Sequence, residues 1–425
     1  MRVLLISANT ERANMPVMPL GLACVAEAVK NAGHVIHVAD LMYESDISQS
    51  LKERILGFQP ECIGISVRNI DDQNSQNPRF LLRNVKDIVN ICREYSRAPI
   101  VLGGAGYSIY PKSALAYLNA DFGIQGEGEM AFPLLLNALQ KNTGIIAIPG
   151  LFSNGKNAPS MPMKWCDRIE ELALPEPDIL LTSGDDAKDR WITVQTRRGC
   201  PLHCIYCSTP AIEGDVLRMR SPNIVAKWLE NWAQKGFTNF YFADNTFNIP
   251  SGYANELCHQ IMRLKLDINW RCIIYPKGID GELAKLMAAA GCKQVSLGYE
   301  SGSEKILRGL KKEFSLDDVR RASQIFAEYG IERTGFLMLG VPTETKDTVE
   351  ESLAFSESLN LDMLKITIGI RIYPNTDLSA IAIREGVISS DCDLLSPHFY
   401  IANGLENWLP VRVKEWQLSH PTIAV

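Results

Sequence analysis

Three cysteines stand within eight residues of the stretch RRGCPLHCIYC (Arg197 to Cys207). Thiols at that density are redox partners, nucleophiles or metal ligands. A disulfide would leave one of Cys200, Cys204 and Cys207 unpaired. A structural zinc site needs a fourth cysteine or histidine at a suitable distance. His203 lies inside the loop, but no downstream CxxC or HxxxH follows. A catalytic thiol needs one cysteine and a base, not three. Chance burial of three thiols on one loop fits poorly with polar neighbours and with Gly199 and Pro201, which shape the loop. The reading that remains is a 4Fe–4S cluster, held by cysteine thiolates, ordinarily four. With three, one iron keeps an open coordination site that can bind a substrate-like molecule.

A chain of 425 residues is too long for one ordinary core, so two domains are expected. Hydrophobic residues make up 46% and charged residues 22%, the balance of a soluble globular enzyme. A net charge of -6 gives no electrostatic reason to expect nucleic acid as a partner. No apolar run approaches the roughly 20 residues that span a bilayer. The N-terminal MRVLLIS reads as a buried strand rather than a signal peptide. A cytoplasmic location is expected, where the 11 cysteines would be thiols or metal ligands.

Five strands alternate with helices over residues 1–140, which predicts a flavodoxin-like doubly wound parallel sheet. VLLIS is a continuous apolar run, as a strand covered on both faces should be. HVIHVAD, ECIGISV, APIVLGG and ADFGIQ follow, with helical stretches such as LGLACVAEAVKNAG, stopped at Gly33, between them. Ligands of such sheets lie at the carboxyl ends of the strands, here at ANTERANMPVMP, SVRNIDDQN, GGAGYS and QGEGE. Residues 141–190 are rich in Pro, Gly, Ser and Asp and read as a connector with room for a small hairpin. Residues 191–375 alternate again: WITVQT, NFYFAD, WRCIIYP, CKQVSLGYE, IERTGFLMLG and LKITIGIRIYP are six strands of a partial (βα)6 barrel. The cysteine loop follows the first of them. Residues 376–425 read as a short C-terminal cap, whose Phe399, Tyr400, Trp408 and Trp416 suit core packing better than a substrate cage.

CPLHCIYC, with its CxxxCxxC form and an aromatic before the last cysteine, resembles the cluster loop of the radical S-adenosylmethionine (SAM) enzymes. The likeness continues through FADNTFN, GYESGSEKIL, GLKKEFS and FLMLGVPTET. Taken singly, Asp244 is a helix cap, Glu300 a surface carboxylate and Lys312 a solvated lysine. In this order the resemblance implies that Tyr206, Asp244, Asn245, Glu300, Ser301, Lys312 and Gly340 approach SAM, and that Cys200, Cys204 and Cys207 hold the cluster. The chain departs from the family pattern at Thr343 and Asn375, where glycines are usual.

An N-terminal sheet of this kind before such a barrel resembles the B12-binding, cobalamin-dependent radical SAM family, class B methyltransferase-like, over nearly the whole chain. It implies that Ser66, Gly103, Gly104, Gly126 and Glu127 line the nucleotide tail of cobalamin. The DxHxxG fingerprint of histidine-ligated cobalamin proteins is absent, so the loop after strand three, with Val67, Arg68, Asn69 and Ile70, is expected to approach the cobalt. The implied reaction is methylation of an unactivated carbon of a small-molecule substrate through a 5'-deoxyadenosyl radical and methylcobalamin. An electron donor such as flavodoxin or ferredoxin is implied with it. Two other functions stay open: a radical SAM cyclase or rearrangement enzyme without methyl transfer, and a non-catalytic Fe–S and corrinoid sensor.

Overall fold

The computed structural model describes residues 1–11, 18–143, 147–155, 161–179 and 190–420. Parts of the loop after the first strand and of the connector, 12–17 and 180–189, lie outside them. Two compact units emerge. The first comprises residues 1–72, 79–186 and 208–219; the second comprises 73–78, 187–207 and 220–425. Among the described residues no helix is long and apolar enough to cross a membrane.

In the first unit, β1 (Arg2–Ser7), β2 (Val35–Asp40), β3 (Cys62–Ser66), β4 (Ile100–Gly103) and β5 (Phe122–Ile124) are parallel, in the order β2-β1-β3-β4-β5. After its first residue, β1 is buried at every position, as its unbroken apolar run requires. Val3 and Leu5 pack against α1 (Leu20–Asn31) and α6 (Gly128–Lys141) through Leu22, Ala26, Phe132 and Leu135. Strand alternation sends Leu4 and Ile6 to the opposite face. α2 (Ile47–Phe58) and α3 (Leu82–Tyr95) pack on each other, α3 through a stripe at Leu82, Val85, Val89 and Cys92. The strand order reverses between β1 and β3, which fixes the ligand end of the sheet.

Two features differ from the sequence expectation. Leu151–Ser153, inside the expected connector, forms β6, an antiparallel sixth strand on the edge of β5. Three residues among prolines and glycines carry too little periodicity to be read as a strand. Ser208–Met219, directly after the last cysteine of the loop, packs within the first unit. Its short helix α7 (Thr209–Glu213) lies against α4 (Ala105–Ile109). Arg218 anchors its end: Nη1 donates to Glu127 Oε1 at 2.7 Å and to the Cys166 carbonyl at 2.8 Å, and Nη2 to the Glu213 carbonyl at 2.7 Å.

The second unit holds β7 (Trp191–Val194), β8 (Asn239–Phe242), β9 (Asn269–Ile274), β10 (Cys292–Glu300), β11 (Glu332–Leu339) and β12 (Met363–Ile368), all parallel and in sequential spatial order. Unlike β1, its strands alternate: Trp270, Cys272 and Ile274 are buried, while Asn269, Arg271 and Ile273 are half-buried. One face therefore packs under helices, among them α8 (Pro222–Gln234), α9 (Ser251–Arg263) and α10 (Gly281–Ala289), and the other lines a curved interior. Phe242, Phe247 and Trp270 pack edge-on and tilted at 5.1 to 5.2 Å between centroids. In the C-terminal segment, Tyr400 and Trp416 are buried, as expected of packing residues, while Phe399 and Trp408 are half-buried.

Two stability predictions follow from these contacts. Trp270→Ala removes a fully buried indole and the donor to the Ala290 carbonyl, and should cost about 3–5 kcal/mol by denaturant unfolding. Arg218→Met leaves Glu127 buried without its cation and should cost about 3–5 kcal/mol, with much of the loss recovered in a Glu127→Met, Arg218→Met double variant.

Candidate functional site

The cysteine loop leaves the carboxyl end of β7. Its root is fixed by Asp244, just beyond β8 and 1% exposed. Asp244 Oδ1 accepts the N–H groups of Thr196 (2.8 Å) and Arg197 (3.3 Å), and Oδ2 accepts the Thr196 hydroxyl at 2.7 Å. The Arg197 guanidinium, itself buried, stands 3.6 Å from Oδ2, donates to the Thr246 and Ile249 carbonyls, and lies 4.5 Å over the Tyr253 ring. Burial pushes the Asp244 carboxyl above its usual range, against the pull of Arg197 and the Thr196 donors. Asp244 thus spends both oxygens on the chain itself. Neither Thr196 nor Arg197 was legible as a site residue; the only trace is a pair of arginines directly behind an apolar strand.

Cys200 is buried, Cys204 and Cys207 are half-buried, and none of the three is in a disulfide. The Cys207 N–H donates to the Cys204 carbonyl at 3.2 Å, and Ile205 is tied on both sides, to the Leu310 carbonyl and by the Leu378 N–H. Among the described residues no three His, Cys, Asp or Glu side chains gather as ligands of a single ion. A 4Fe–4S cluster asks for something else, since each thiolate binds a different iron. Three soft donors on one backbone-pinned loop suit that group in donor type and number.

Beside the loop, three side chains converge. The Tyr206 hydroxyl donates to Glu300 Oε1 at 3.0 Å, the Lys312 ammonium reaches the same oxygen at 3.3 Å, and it stands 5.3 Å over the Tyr206 ring. Burial alone would push Lys312 down, but the Glu300 carboxylate leads a set of acidic neighbours that hold it well above its usual range. Burial first, then Glu300, raises the Tyr206 phenol. Of the other expected SAM residues, Asn245 is half-buried next to Asp244, while Ser301 is fully buried and its hydroxyl bonds Ser352 Oγ at 3.1 Å. Gly340 begins the turn after β11, and its N–H and that of Val341 donate to Glu344 Oε2.

In the first unit, a cavity opens at the β1/β3 reversal, lined by Asn9, Thr10 and Glu11 after β1 and by Val67, Arg68 and Asn69 after β3. Among the described residues its lining holds no histidine. Arg79 ties the loops by pairing with both Glu11 (3.1 Å) and Asp72 (2.9 Å). Amides, a guanidinium and a carboxylate stand there beside apolar Ala8, Leu81 and Val85, and a mixed lining at a switch point suits a corrin ring with its amide fringe. Gly104 has φ +98, and a Cβ there would stand 2.7 Å from the Val67 carbonyl oxygen, so the β3 and β4 ends meet without room for a side chain. Ser66 and Gly103 lie at those same ends. The other two expected residues are covered by the chain itself. A Cβ on Gly126 would stand 2.6 Å from Met163 Sδ, and Glu127 gives one oxygen to Arg218 and the other to the Cys166 N–H at 2.7 Å.

Glu344 is 4% exposed, and its Oε1 has no hydrogen-bond partner. Burial pushes its carboxyl up from 4.5 to about 7, against the two backbone donors. A carboxyl raised in the folded state contributes stability below its unfolded value, and that contribution fades as pH rises through the folded one. Between pH 4.5 and 7 the protein should therefore lose stability relative to Glu344→Gln, as followed by thermal unfolding against pH. Parallel curves for the two would contradict this.

Comparison with known proteins bears on both units. Residues 194–356 match the radical SAM superfamily and residues 6–136 match the B12 binding domain. An uncharacterized methyltransferase of Pyrococcus horikoshii is 28% identical, the match covering 91% of this chain and 84% of that protein. Tryptophan 2-C-methyltransferase of Streptomyces laurentii is 22% identical over 87% of this chain and 73% of its own. An anaerobic magnesium-protoporphyrin IX monomethyl ester cyclase of Rubrivivax gelatinosus is 24% identical over 85% and 67%. The fold is shared with the radical SAM methyltransferase TsrM of Kitasatospora setae, solved with cobalamin and a 4Fe–4S cluster bound: TM-score 0.83 at 22% identity, over 95% of this chain and 84% of that one. A second TsrM structure, with tryptophan substrate and a SAM analogue bound, gives a TM-score of 0.86 at 22% identity, over 98% and 88%. The chain thus carries a B12 binding domain followed by a radical SAM domain, and methyltransferases are among the proteins it resembles.

Proposed function

We propose that this protein is a cobalamin-dependent radical SAM methyltransferase that methylates an unactivated carbon of a small molecule. The observation that carries the reading is the pairing, in one chain, of a three-thiol loop at the mouth of a parallel partial barrel with a cavity of mixed polar and apolar lining, without histidine among the described residues, at the switch point of a doubly wound sheet. Its cofactors are a 4Fe–4S cluster, SAM and cobalamin. When bound, they supply the electron that cleaves SAM to a 5'-deoxyadenosyl radical and a carrier for the methyl group.

The chain's own residues bind and orient. Cys200, Cys204 and Cys207 hold the cluster on a loop rooted by Asp244. Glu300, Lys312 and Tyr206, with Asn245 and the Gly340 turn, accept SAM, and Ser301 braces the end of β10 from inside. Val67, Arg68 and Asn69 meet the corrin, with Ser66, Gly103 and Gly104 at the adjoining strand ends; Gly126 and Glu127 support that floor under Met163 and Arg218. An external donor such as a flavodoxin or ferredoxin delivers the electron. The cysteine-ligated cluster of this reading suits a reducing compartment such as the cytoplasm. The division we favour keeps the expected domains at 1–140 and 191–375, with 376–425 as a cap, but adds β6 and Ser208–Met219 to the first and residues 73–78 to the second.

Anaerobic reconstitution with SAM, dithionite and cobalamin tests the reading, with Cys204→Ala as the comparison. Four irons, bound corrinoid and 5'-deoxyadenosine are expected, the nucleoside falling to background in the variant. A protein that binds no cluster would overturn the reading. With methyl-labelled SAM the label should pass to product; its retention would assign the chain to cyclases or rearrangement enzymes, the class that the Rubrivivax relative makes the second candidate. The bound cobalt should show no histidine nitrogen coupling by electron paramagnetic resonance, and a histidine-coupled signal would contradict the cavity assignment.

A further inference from the structure

Glu300 ends β10 in a conformation that a residue with a Cβ rarely adopts, φ +64. The strand register slips between Leu297 and Glu300, which turns the last residues out of the regular ladder. Gly298 leaves space for the result: a Cβ there would stand 3.1 Å from Glu300 Oε1. Backbone strain of this kind, on a half-buried carboxylate, persists where the surroundings hold it in place.

Two donors hold it, and both hold the same atom. Tyr206 donates to Oε1 at 3.0 Å and Lys312 at 3.3 Å. Among the described residues no hydrogen bond to Oε2 accompanies them, although an ionised carboxylate has acceptor sites on both oxygens. The donors differ in what they can fix. Lys312 is a compact charge on a flexible four-carbon arm. Tyr206 is a rigid ring on a backbone that is pinned at Ile205 by the Leu310 carbonyl and the Leu378 N–H.

We propose that the Tyr206 hydroxyl is a positioning group that sets the direction of the Glu300 carboxylate, holding Oε1 so that Oε2 is presented to a hydroxyl or ammonium donor of bound SAM. The inference rests on the SAM site proposed above. It makes the aromatic of the cysteine loop a determinant of ligand affinity through its oxygen, and Glu300 the residue that it acts through.

The test is the SAM dissociation constant of the anaerobically reconstituted protein, measured by calorimetry without turnover. Tyr206→Phe keeps the ring and removes the donor; four irons should remain, and affinity should fall about tenfold, the scale of a hydrogen bond to a charged group. Glu300→Gln should also weaken binding, and the Tyr206→Phe, Glu300→Gln double variant should bind as Glu300→Gln does, because the hydroxyl has nothing left to position. Unchanged affinity in Tyr206→Phe, or single effects that multiply in the double variant, would overturn the proposal. So would a Tyr206→Phe protein that cannot hold four irons, which would assign the hydroxyl to the loop itself. A wild-type protein that binds a cluster but no SAM would sink the site reading as well, and is distinguishable from all three.

Discussion

Asp244 accepts three hydrogen bonds and a guanidinium inside a protein interior where an unpaired carboxylate would cost several kcal/mol, so its four partners cannot drift from it independently. Those partners are the residues through which the chain leaves β7 and enters the cysteine loop. The direction of that exit decides where Cys200, Cys204 and Cys207 stand. The carboxyl end of β8 thus sets the root of the loop after β7. At the loop's far end Tyr206 meets Glu300 from β10, so three strand ends specify one loop.

The first unit uses the same physics at another scale. A buried ion pair, Glu127 with Arg218, joins the β5 end to a segment that arrives from after the cysteine loop, and Arg218 lies 5.2 Å over the Trp165 ring. Such a pair adds little to stability compared with an apolar one, but it tolerates only its own partner, and so it specifies where Ser208–Met219 returns. The cavity of this unit lies elsewhere, at the β1/β3 reversal, where Asn9, Thr10 and Glu11 stand near Val67, Arg68 and Asn69.

Much of this was legible from residue types. Continuous apolar runs such as VLLIS marked a sheet buried on both faces, and WRCIIYP was legible as a strand, while its alternating burial emerged only in the structure. The cysteine spacing singled out the loop, and the motif order singled out Glu300 and Lys312, which the structure brings together at Tyr206. What stayed hidden had no periodic or compositional trace. β6 is too short. The buried roles of Arg197 and Arg218 cannot be read from residues that usually face water. The engagement of Ser301 and Glu127 inside the protein depends on Ser352 and Arg218, residues about 50 and 90 positions away, as the tertiary contacts of this fold bring them together.

The central claim is that a buried carboxylate outside the loop determines whether the loop can hold its cluster. Iron and sulfide content of anaerobically reconstituted Asp244→Asn, beside wild type and with corrinoid binding as a check that the first unit is intact, tests it most directly. The substitution keeps shape and removes charge and one acceptor. The account predicts fewer than half of the wild-type irons with corrinoid binding preserved. A full complement of iron and an unaltered cluster spectrum would contradict it.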